Sequence, residues 1–281
     1  MVAFLLFMLA QIAAPPPTGK LVDAGGYRVH LNCTGERNPT VIVTGGGFSF
    51  DWSLVQPEVA KFARICTYDP AGTAWSDPGP GPDCKDRVAE IHKVLASAGE
   101  KGPYVLVGLS VGALVARLDA AEYPREVAGM VIIDHAFLNP VDPTPPKAIS
   151  APGLDSPPVL IHQEPIVLTT EDTSFFNHLP ARDRELHRWA ESLHPVRPTL
   201  ETAEACSAAV ERLSNALTNL PLIVVSTGND SPNYLSLQRK LLALSRHSRQ
   251  LIAEKSFHSV QIDQPEVVIR AIREVVEAAR K

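Results

Sequence analysis

The 281-residue sequence has no cluster of basic residues, and its formal net charge is only −5. Nucleic acids and anionic membranes are bound through basic patches, so we expect neither as the main partner. The sequence also lacks an internal repeat of the length found in solenoids or propellers. The chain is long enough for one large domain that carries an insertion, and its composition does not predict an oligomeric state.

Cysteine is scarce, with four residues in the whole chain: Cys33, Cys66, Cys84 and Cys206. No two of them have the spacing of zinc ligands, so we expect no metal site. Disulfides can form if the protein is exported. Cys33 ends one predicted strand and Cys66 lies in another, which favours a Cys33–Cys66 disulfide and leaves Cys84–Cys206 as the second pair. The alternative is four reduced thiols.

The N-terminus is apolar from Met1 to Ala14 except for Gln11, and three prolines follow. It has no Lys or Arg before the apolar run, and it is too short to span a membrane comfortably. The pattern is nevertheless typical of a secretory signal peptide. We therefore expect residues 1–17 to be a signal-like or hydrophobic segment and the protein to be periplasmic or extracellular. A truncated gene start or a docked N-terminal helix would instead leave it cytoplasmic.

Apolar runs alternate with amphipathic segments along the chain. Runs of this kind predict strands that are buried on both faces, and the amphipathic segments predict helices that cover them. An α/β fold with a mostly parallel sheet and helices on both faces follows. The predicted strands are 27–33, 40–43, 64–68, 104–107, 127–133, 221–225 and 250–253, and the predicted helices are 86–98, 113–121, 183–194, 199–217, 237–244 and 265–279.

The alternation breaks after Asn139, where prolines cluster and no periodicity remains. Two predicted helices follow before the sheet resumes at Pro221. We interpret residues 139–219 as a helical cap inserted over the strand ends. The core would then consist of residues 18–138 and 220–281.

The most informative segment is an apolar run, 104–107, that leads through Gly108-Leu109-Ser110-Val111-Gly112 into a predicted helix. A serine between a strand end and a helix start is held in a strained turn, and the flanking glycines avoid a clash across the bend. The hydroxyl is left exposed, and the amide of Val111 points at whatever the serine attacks. Ser110 is therefore a candidate nucleophile; the alternative is a solvated serine in a glycine-containing loop.

A serine nucleophile needs a base and an acid that orients the base. Of the nine histidines, His258 follows the last predicted strand, so it can emerge at the same sheet edge as Ser110. The alternative is an ordinary loop histidine. Two aspartates also follow strands, and we favour Asp230 as the acid over Asp134. Asp263 reads as a residue at the start of the last helix.

Three glycines, Gly45-Gly46-Gly47, directly follow a buried strand. A backbone N–H group of these glycines can donate a hydrogen bond to a developing oxyanion, in addition to the one from the Val111 N–H. We favour Gly46 as this donor, with Gly47 as the alternative. No Gly-Lys-Ser/Thr follows, so the segment is not a nucleotide-binding loop. It could also be a glycine-rich turn without a ligand.

Together these segments resemble the α/β-hydrolase family over residues 21–281. The matching pieces are Thr44–Gly47, Tyr68–Asp77, Gly108–Gly112, Phe257-His258 and Asp263–Glu266. The resemblance implies an eight-stranded, mostly parallel sheet, a helical cap and the transfer of an acyl group to water without a cofactor. It also implies that Ser110 is the nucleophile, His258 the general acid and base, and Asp230 the orienting acid.

Three positions depart from the family pattern: Thr44 and Leu109 stand where histidine is often found, and Pro70 where arginine is common. The first two leave the backbone donors intact. The expected function is a serine hydrolase that cleaves a small or medium carboxylic ester. Amide, lactone or thioester hydrolysis by the same residues is the alternative, and a non-catalytic receptor is an alternative of another class. Epoxide and haloalkane hydrolysis would need a carboxylate in place of Ser110.

The predicted cap contains three aromatic residues, Phe175, Phe176 and Trp189. They could shape an apolar pocket for the acyl group, or they could simply pack between the cap and the sheet.

Overall fold

The computed structural model of the protein describes residues 14–136, 174–213 and 217–281. The strands are β1 (Lys20–Asp23), β2 (Arg28–Thr34), β3 (Thr40–Gly45), β4 (Ile65–Asp69), β5 (Tyr104–Leu109), β6 (Val127–Ile133), β7 (Leu222–Thr227) and β8 (Ser248–Ala253). The helices are α1 (Gln56–Ala60), α2 (Cys84–Ala98), α3 (Val111–Glu122), α4 (Ala181–Ser192), α5 (Leu200–Glu211), α6 (Pro232–Lys240), α7 (Val260–Asp263) and α8 (Pro265–Ala279). Short 3-10 helices span Ser49–Trp52, Pro124–Glu126, Ser174–His178 and Leu241–Leu244.

The eight strands form one sheet in the order β1-β2-β4-β3-β5-β6-β7-β8. β2 runs antiparallel to both β1 and β4, and the other neighbours pair in parallel. The predicted fold class, an eight-stranded and mostly parallel sheet, is confirmed.

Helices cover the sheet on both faces because successive side chains of a strand point to opposite sides. On one face, Leu106 and Met130 pack in a cluster with residues of α2 and α3. On the other, Val107 and Val131 pack with residues of α1 and α8. Each of these four strand residues is at most 1% exposed, which explains why their strands are apolar throughout rather than alternating.

Two of the predicted helices have the wrong extent. The predicted helix 237–244 begins earlier, as α6, because the Ser231 hydroxyl accepts a hydrogen bond from the Tyr234 amide and Pro232 occupies the first turn. It ends at Lys240, and a 3-10 helix follows. The predicted helix 199–217 is helical only to Glu211 as α5.

The part of the predicted cap that the structure describes is helical. It contains the 3-10 helix Ser174–His178, α4 and α5, which lie between β6 and β7 in the chain. Trp189 of α4 packs on Trp75, with 5.2 Å between ring centroids, and Phe176 packs on His187 at 4.1 Å. Trp189 therefore packs on the core, whereas the Phe176 ring contacts a residue of the same inserted segment. Residues 137–173 and the Phe175 side chain lie outside the described parts.

Both predicted disulfides are present. Cys33–Cys66 joins residues that face each other in the register of β2 and β4. Cys84–Cys206 joins α2 to α5 and so links the core to the inserted helices. Disulfides of this kind are typical of proteins that fold in an oxidising compartment.

The signal-like N-terminal segment lies almost wholly outside the described residues. From Pro15 onward the chain is held against the core, because the Trp75 indole N–H donates to the Pro15 carbonyl at 2.7 Å. Among the helices that the structure describes, none has the length and apolar character needed to cross a membrane.

Candidate active site

The site begins where neighbouring parallel strands end together. The register pairs Gly45 of β3 with Leu109 of β5, and Leu109 with Ile133 of β6. Because the carboxyl ends of parallel strands meet at one edge of a sheet, the next residues of the three strands emerge side by side. These residues are Gly46, Ser110 and Asp134.

Ser110 lies in a strained turn between β5 and α3. Its φ is +57°, in the left-handed region of backbone conformation that residues other than glycine seldom adopt. A Cβ on Gly108 would lie 2.5 Å from the Ala113 Cα, and one on Gly112 would lie 2.1 Å from the Thr44 carbonyl oxygen. The turn therefore requires both glycines, as its sequence predicted.

Thr44 joins the end of β3 to this turn by hydrogen bonds. Its buried hydroxyl lies 2.7 Å from the Gly112 carbonyl oxygen and 3.2 Å from that of Val107. From the sequence, Thr44 is only a departure from the family pattern. Its hydroxyl holds the first turn of α3 close to the strand that leads into the glycines.

His258, in the loop after β8, is hydrogen-bonded to Asp134. Its Nδ1 lies 2.5 Å from Asp134 Oδ2, and the Asp134 side chain is only 4% exposed. The second carboxylate oxygen accepts a hydrogen bond from the Gln238 amide at 3.1 Å. The Asp134 amide donates to the Val225 carbonyl at 2.8 Å, so backbone and side chain are both fixed.

Asp230, the acid that we favoured from the sequence, is not the hydrogen-bond partner of His258. It lies in the turn after β7, where it is hydrogen-bonded to Thr227. Its Oδ2 is buried and has no hydrogen-bond partner in the described part of the chain. Asp134, which directly follows β6, the strand beside β5, takes its place as that partner.

Both aspartates nevertheless act on the charge of His258. Partial desolvation lowers the pKa of this histidine, whose side chain remains 58% exposed, but the hydrogen bond and charge of Asp134 raise it, and so does the charge of Asp230. The pKa of His258 is raised overall above the ordinary value of 6.5. The pKa of Asp230 is raised as well, first by burial and then by the charge of Asp134.

Ser110 and His258 are both hydrogen-bonded to the segment formed by the last residue of β6 and the three residues after it. The Ser110 amide donates to the Ile133 carbonyl at 3.0 Å, and the Ala136 amide donates to the Ser110 carbonyl at 3.4 Å. Asp134, between them, binds His258. No direct hydrogen bond joins Ser110 to His258 within the described residues. The segment thus brings the predicted nucleophile and base to one place on the sheet edge.

The glycine loop, residues 45–47, has positive φ at every residue: +75°, +76° and +91°. The Trp52 indole N–H donates to the Gly45 carbonyl at 3.1 Å, and the Gln261 amide donates to the Gly46 carbonyl at 2.9 Å. In a trans peptide the N–H points opposite to the C=O. These bonds therefore orient the amide of Gly46, the donor expected from the sequence, and that of Gly47, its alternative.

The other expected donor, Val111, is the first residue of α3. Its N–H lacks an intrahelical acceptor because it belongs to the first turn, and the helix dipole places partial positive charge there. The site can thus offer backbone N–H groups from two sides to an oxygen that gains negative charge.

Asp263 holds the loop that carries the histidine. Its Oδ2 accepts hydrogen bonds from the Phe257 amide at 3.0 Å and from the Ser256 hydroxyl at 3.4 Å. The Nδ1 of His178, in the 3-10 helix Ser174–His178, lies 3.5 Å from its other oxygen. Asp263 therefore stabilises the loop before His258, in addition to lying just before the last helix. Sequence spacing alone does not reveal this contact, since Asp263 ends α7 and its side chain turns back.

His135, next to Asp134, is a poor candidate for the base. Burial and the nearby Arg117 lower its pKa to about 3, so it is neutral at physiological pH. The Tyr234 hydroxyl donates to the His135 carbonyl at 2.6 Å, which anchors this part of the chain to α6.

One cluster in the described residues has the geometry of a metal site, formed by Cys33, Cys66 and Glu100. The two cysteines are joined in a disulfide and cannot act as thiolate ligands.

The sequence profile of the alpha/beta hydrolase family matches residues 40–271. Among curated proteins, the uncharacterised protein YqjL of Bacillus subtilis strain 168 is 26% identical over 245 residues, covering 83% of this chain and 81% of YqjL. Among solved structures, a candidate lipase of Acinetobacter baumannii AYE superposes with a TM-score of 0.69 at 15% identity, covering 93% and 91% of the two chains. An esterase of Thermogutta terrifontis gives 0.62 at 18% identity, covering 93% and 98%.

Six further curated relatives match more locally. The matches cover between 40% and 46% of this chain and between 18% and 44% of the relatives. At 15% and 18% identity, the similarity of the two solved structures to this chain shows a shared fold alone.

Proposed function

Because this chain belongs to the alpha/beta hydrolase family, we propose that it hydrolyses a carboxylic ester by means of Ser110, His258 and Asp134. The observation that carries the proposal is the His258–Asp134 hydrogen bond of 2.5 Å, next to a serine in a strained turn. We retain Ser110 and His258 from the sequence and replace Asp230 by Asp134 as the orienting acid.

In the first step the Ser110 hydroxyl attacks the ester carbonyl carbon while His258 takes its proton. Asp134 accepts the Nδ1–H of the imidazole, so Nε2 is left as the base, and the carboxylate stabilises the imidazolium that forms. The carbonyl oxygen becomes negative and is bound by the amides of Val111 and Gly46, with Gly47 as an alternative donor.

In the second step the imidazolium returns the proton to the leaving alcohol, and the acyl group remains on Ser110. Water then attacks this acyl-enzyme with His258 again as the base, which releases the acid and restores the serine. Every proton is carried by protein groups, so the proposed reaction needs no cofactor.

An ester is easier to cleave than an amide by these steps, since an alcohol leaves more readily than an amine. Amides, lactones and thioesters could pass through the same steps, and a receptor could keep the same residues without turnover. The two disulfides and the signal-like N-terminus support export, and we propose that the substrate is a small ester met outside the cytoplasm. Residues 139–219 would form the cap of the site.

We expect a fluorophosphonate probe to label the protein once per chain, on Ser110. The probe reacts with serines that a neighbouring base activates. Its phosphoryl oxygen gains negative charge during the attack and needs the same donors as the carbonyl oxygen of an ester. Intact-mass and peptide mass spectrometry would locate the label, and p-nitrophenyl esters of increasing acyl length would measure turnover. Absence of both labelling and turnover would favour the receptor.

The dependence of kcat/KM on pH should follow the ionisation of His258. The imidazole is a base only when neutral, and its pKa is raised above 6.5, so kcat/KM should rise with pH and reach half its maximum above pH 6.5. In Asp230→Asn one of the charges that raise this pKa is lost, so the half-maximum should move to lower pH. A matched control is Glu254→Gln, which removes an exposed carboxylate just after β8. An unchanged midpoint in Asp230→Asn would contradict this account.

A further inference from the structure

A buried carboxylate lies against the glycine loop and is not used in the proposed reaction. Asp51 is 1% exposed and belongs to the 3-10 helix that begins two residues after Gly47. Its Oδ2 accepts the Phe48 amide at 2.8 Å. A Cβ on Gly47 would lie only 2.1 Å from the same oxygen, so the carboxylate is in direct contact with the loop backbone.

Three side chains, of which Asp51 is one, form hydrogen bonds with three successive peptide groups of this loop. Trp52 binds the carbonyl of the Gly45–Gly46 peptide, and Gln261 binds that of the Gly46–Gly47 peptide. Asp51 accepts the N–H of the Gly47–Phe48 peptide. Of the three, only Asp51 carries a formal charge, so its orientation depends on a partner that can balance that charge.

The partner comes from the cap. His187 of α4 places its Nδ1 2.9 Å from Asp51 Oδ1 and 3.2 Å from Oδ2. Burial raises the pKa of Asp51, whereas the hydrogen bond and charge of His187 lower it. The His187 ring is enclosed by Phe48 and Phe176, at centroid distances of 5.2 and 4.1 Å. The pair is therefore largely shielded from water.

We propose that Asp51 and His187 are positioning residues that couple the seating of α4 on the core to the shape of the glycine loop. The inference deepens the proposed function and rests on it, since the glycine loop supplies the oxyanion donor there. A buried carboxylate that loses its basic partner must take up a proton or turn toward solvent. Either change alters its contact with the Phe48 amide and with the loop behind it, so the donors are in place only while the cap helix is docked.

Hydrogen–deuterium exchange of the full-length protein tests the coupling without relying on activity. In His187→Ala and Asp51→Asn, amides of residues 45–52 should exchange at least about tenfold faster than in the wild type, because local opening of the loop costs less free energy. Peptides from β5 and β6 should keep their protection, which separates a local effect from general destabilisation. His187→Asn should restore protection, since its amide N–H can replace Nδ1 as a donor. Arg188→Ala, the exposed neighbour on α4, is the control.

Kinetics supply the second readout. Misplacing one oxyanion donor should lower kcat for a p-nitrophenyl ester by at least about tenfold in His187→Ala while KM changes little, because the donor acts mainly in the transition state. Unchanged exchange in residues 45–52, or faster exchange with an unchanged kcat, would overturn the proposal. If the wild type turns over no ester, the proposed function fails, and the exchange result alone decides whether the coupling exists.

Discussion

Ser110→Ala is expected to lower kcat for esters by about 10⁶-fold, as in other hydrolases in which a serine nucleophile is removed. Alanine cannot form the acyl-enzyme, and the base then has no hydroxyl to activate. Alanine is smaller than serine and the glycines on either side are unchanged, so the turn and the sheet should persist. The variant should also lose all labelling by the fluorophosphonate probe.

The control for this variant is Ser259→Ala, which removes the hydroxyl that follows His258 in sequence and leaves the proposed nucleophile in place. It should keep both labelling and turnover. Circular dichroism and the count of free thiols would verify that each variant is folded with its disulfides intact. Retained turnover in Ser110→Ala would refute the serine mechanism.

Asp134→Asn should lower kcat by about 10⁴-fold, the effect known for the loss of an orienting carboxylate in a serine protease. An asparagine at this position can donate a hydrogen bond to Nδ1, which favours the tautomer whose Nε2 carries the proton and cannot act as a base. Gln238 and the Val225 carbonyl still contact residue 134, so its position should change little.

Asp230→Asn is the matched variant, since it makes the same chemical change at the other aspartate near His258. It should keep a maximal kcat close to that of the wild type and show only the shifted pH dependence. A collapse of kcat in Asp230→Asn, with turnover preserved in Asp134→Asn, would show that His258 turns to Asp230 during the reaction and would reinstate the acid favoured from the sequence.

Features that depend on neighbours in the chain were predictable from the sequence. The turn around Ser110 is recognisable because a buried strand, two glycines and a helix start follow one another within ten residues. The disulfide Cys33–Cys66 is predictable because each cysteine lies in a predicted strand. The α/β class follows from apolar runs that alternate with amphipathic segments.

The choice between the two aspartates was not predictable, because both follow neighbouring strands and chain order does not distinguish them. What decides is the direction of each side chain: Asp134 has φ of +39° and reaches His258, whereas Asp230 is hydrogen-bonded to Thr227. The positive φ of Asp134, unlike that of Ser110 between its two glycines, leaves no mark in the sequence.

The side-chain contacts of the glycine loop were also not predictable from the sequence. The partners Asp51 and His187 are 136 residues apart, and Gln261 is 215 residues from the Gly46 carbonyl that it binds. Each of these residue types is common and mostly exposed in proteins. Only the tertiary structure brings them together.

The disulfide Cys84–Cys206 closes the chain between its two cysteines, which are 122 residues apart, into a covalent ring. Ser110 and Asp134 lie within this ring, while His258 and the three glycines lie outside it. A single cut in the backbone anywhere between residues 84 and 206 would open the ring without dividing the molecule. After such a cut, both ends of the chain would remain covalently tied to the serine.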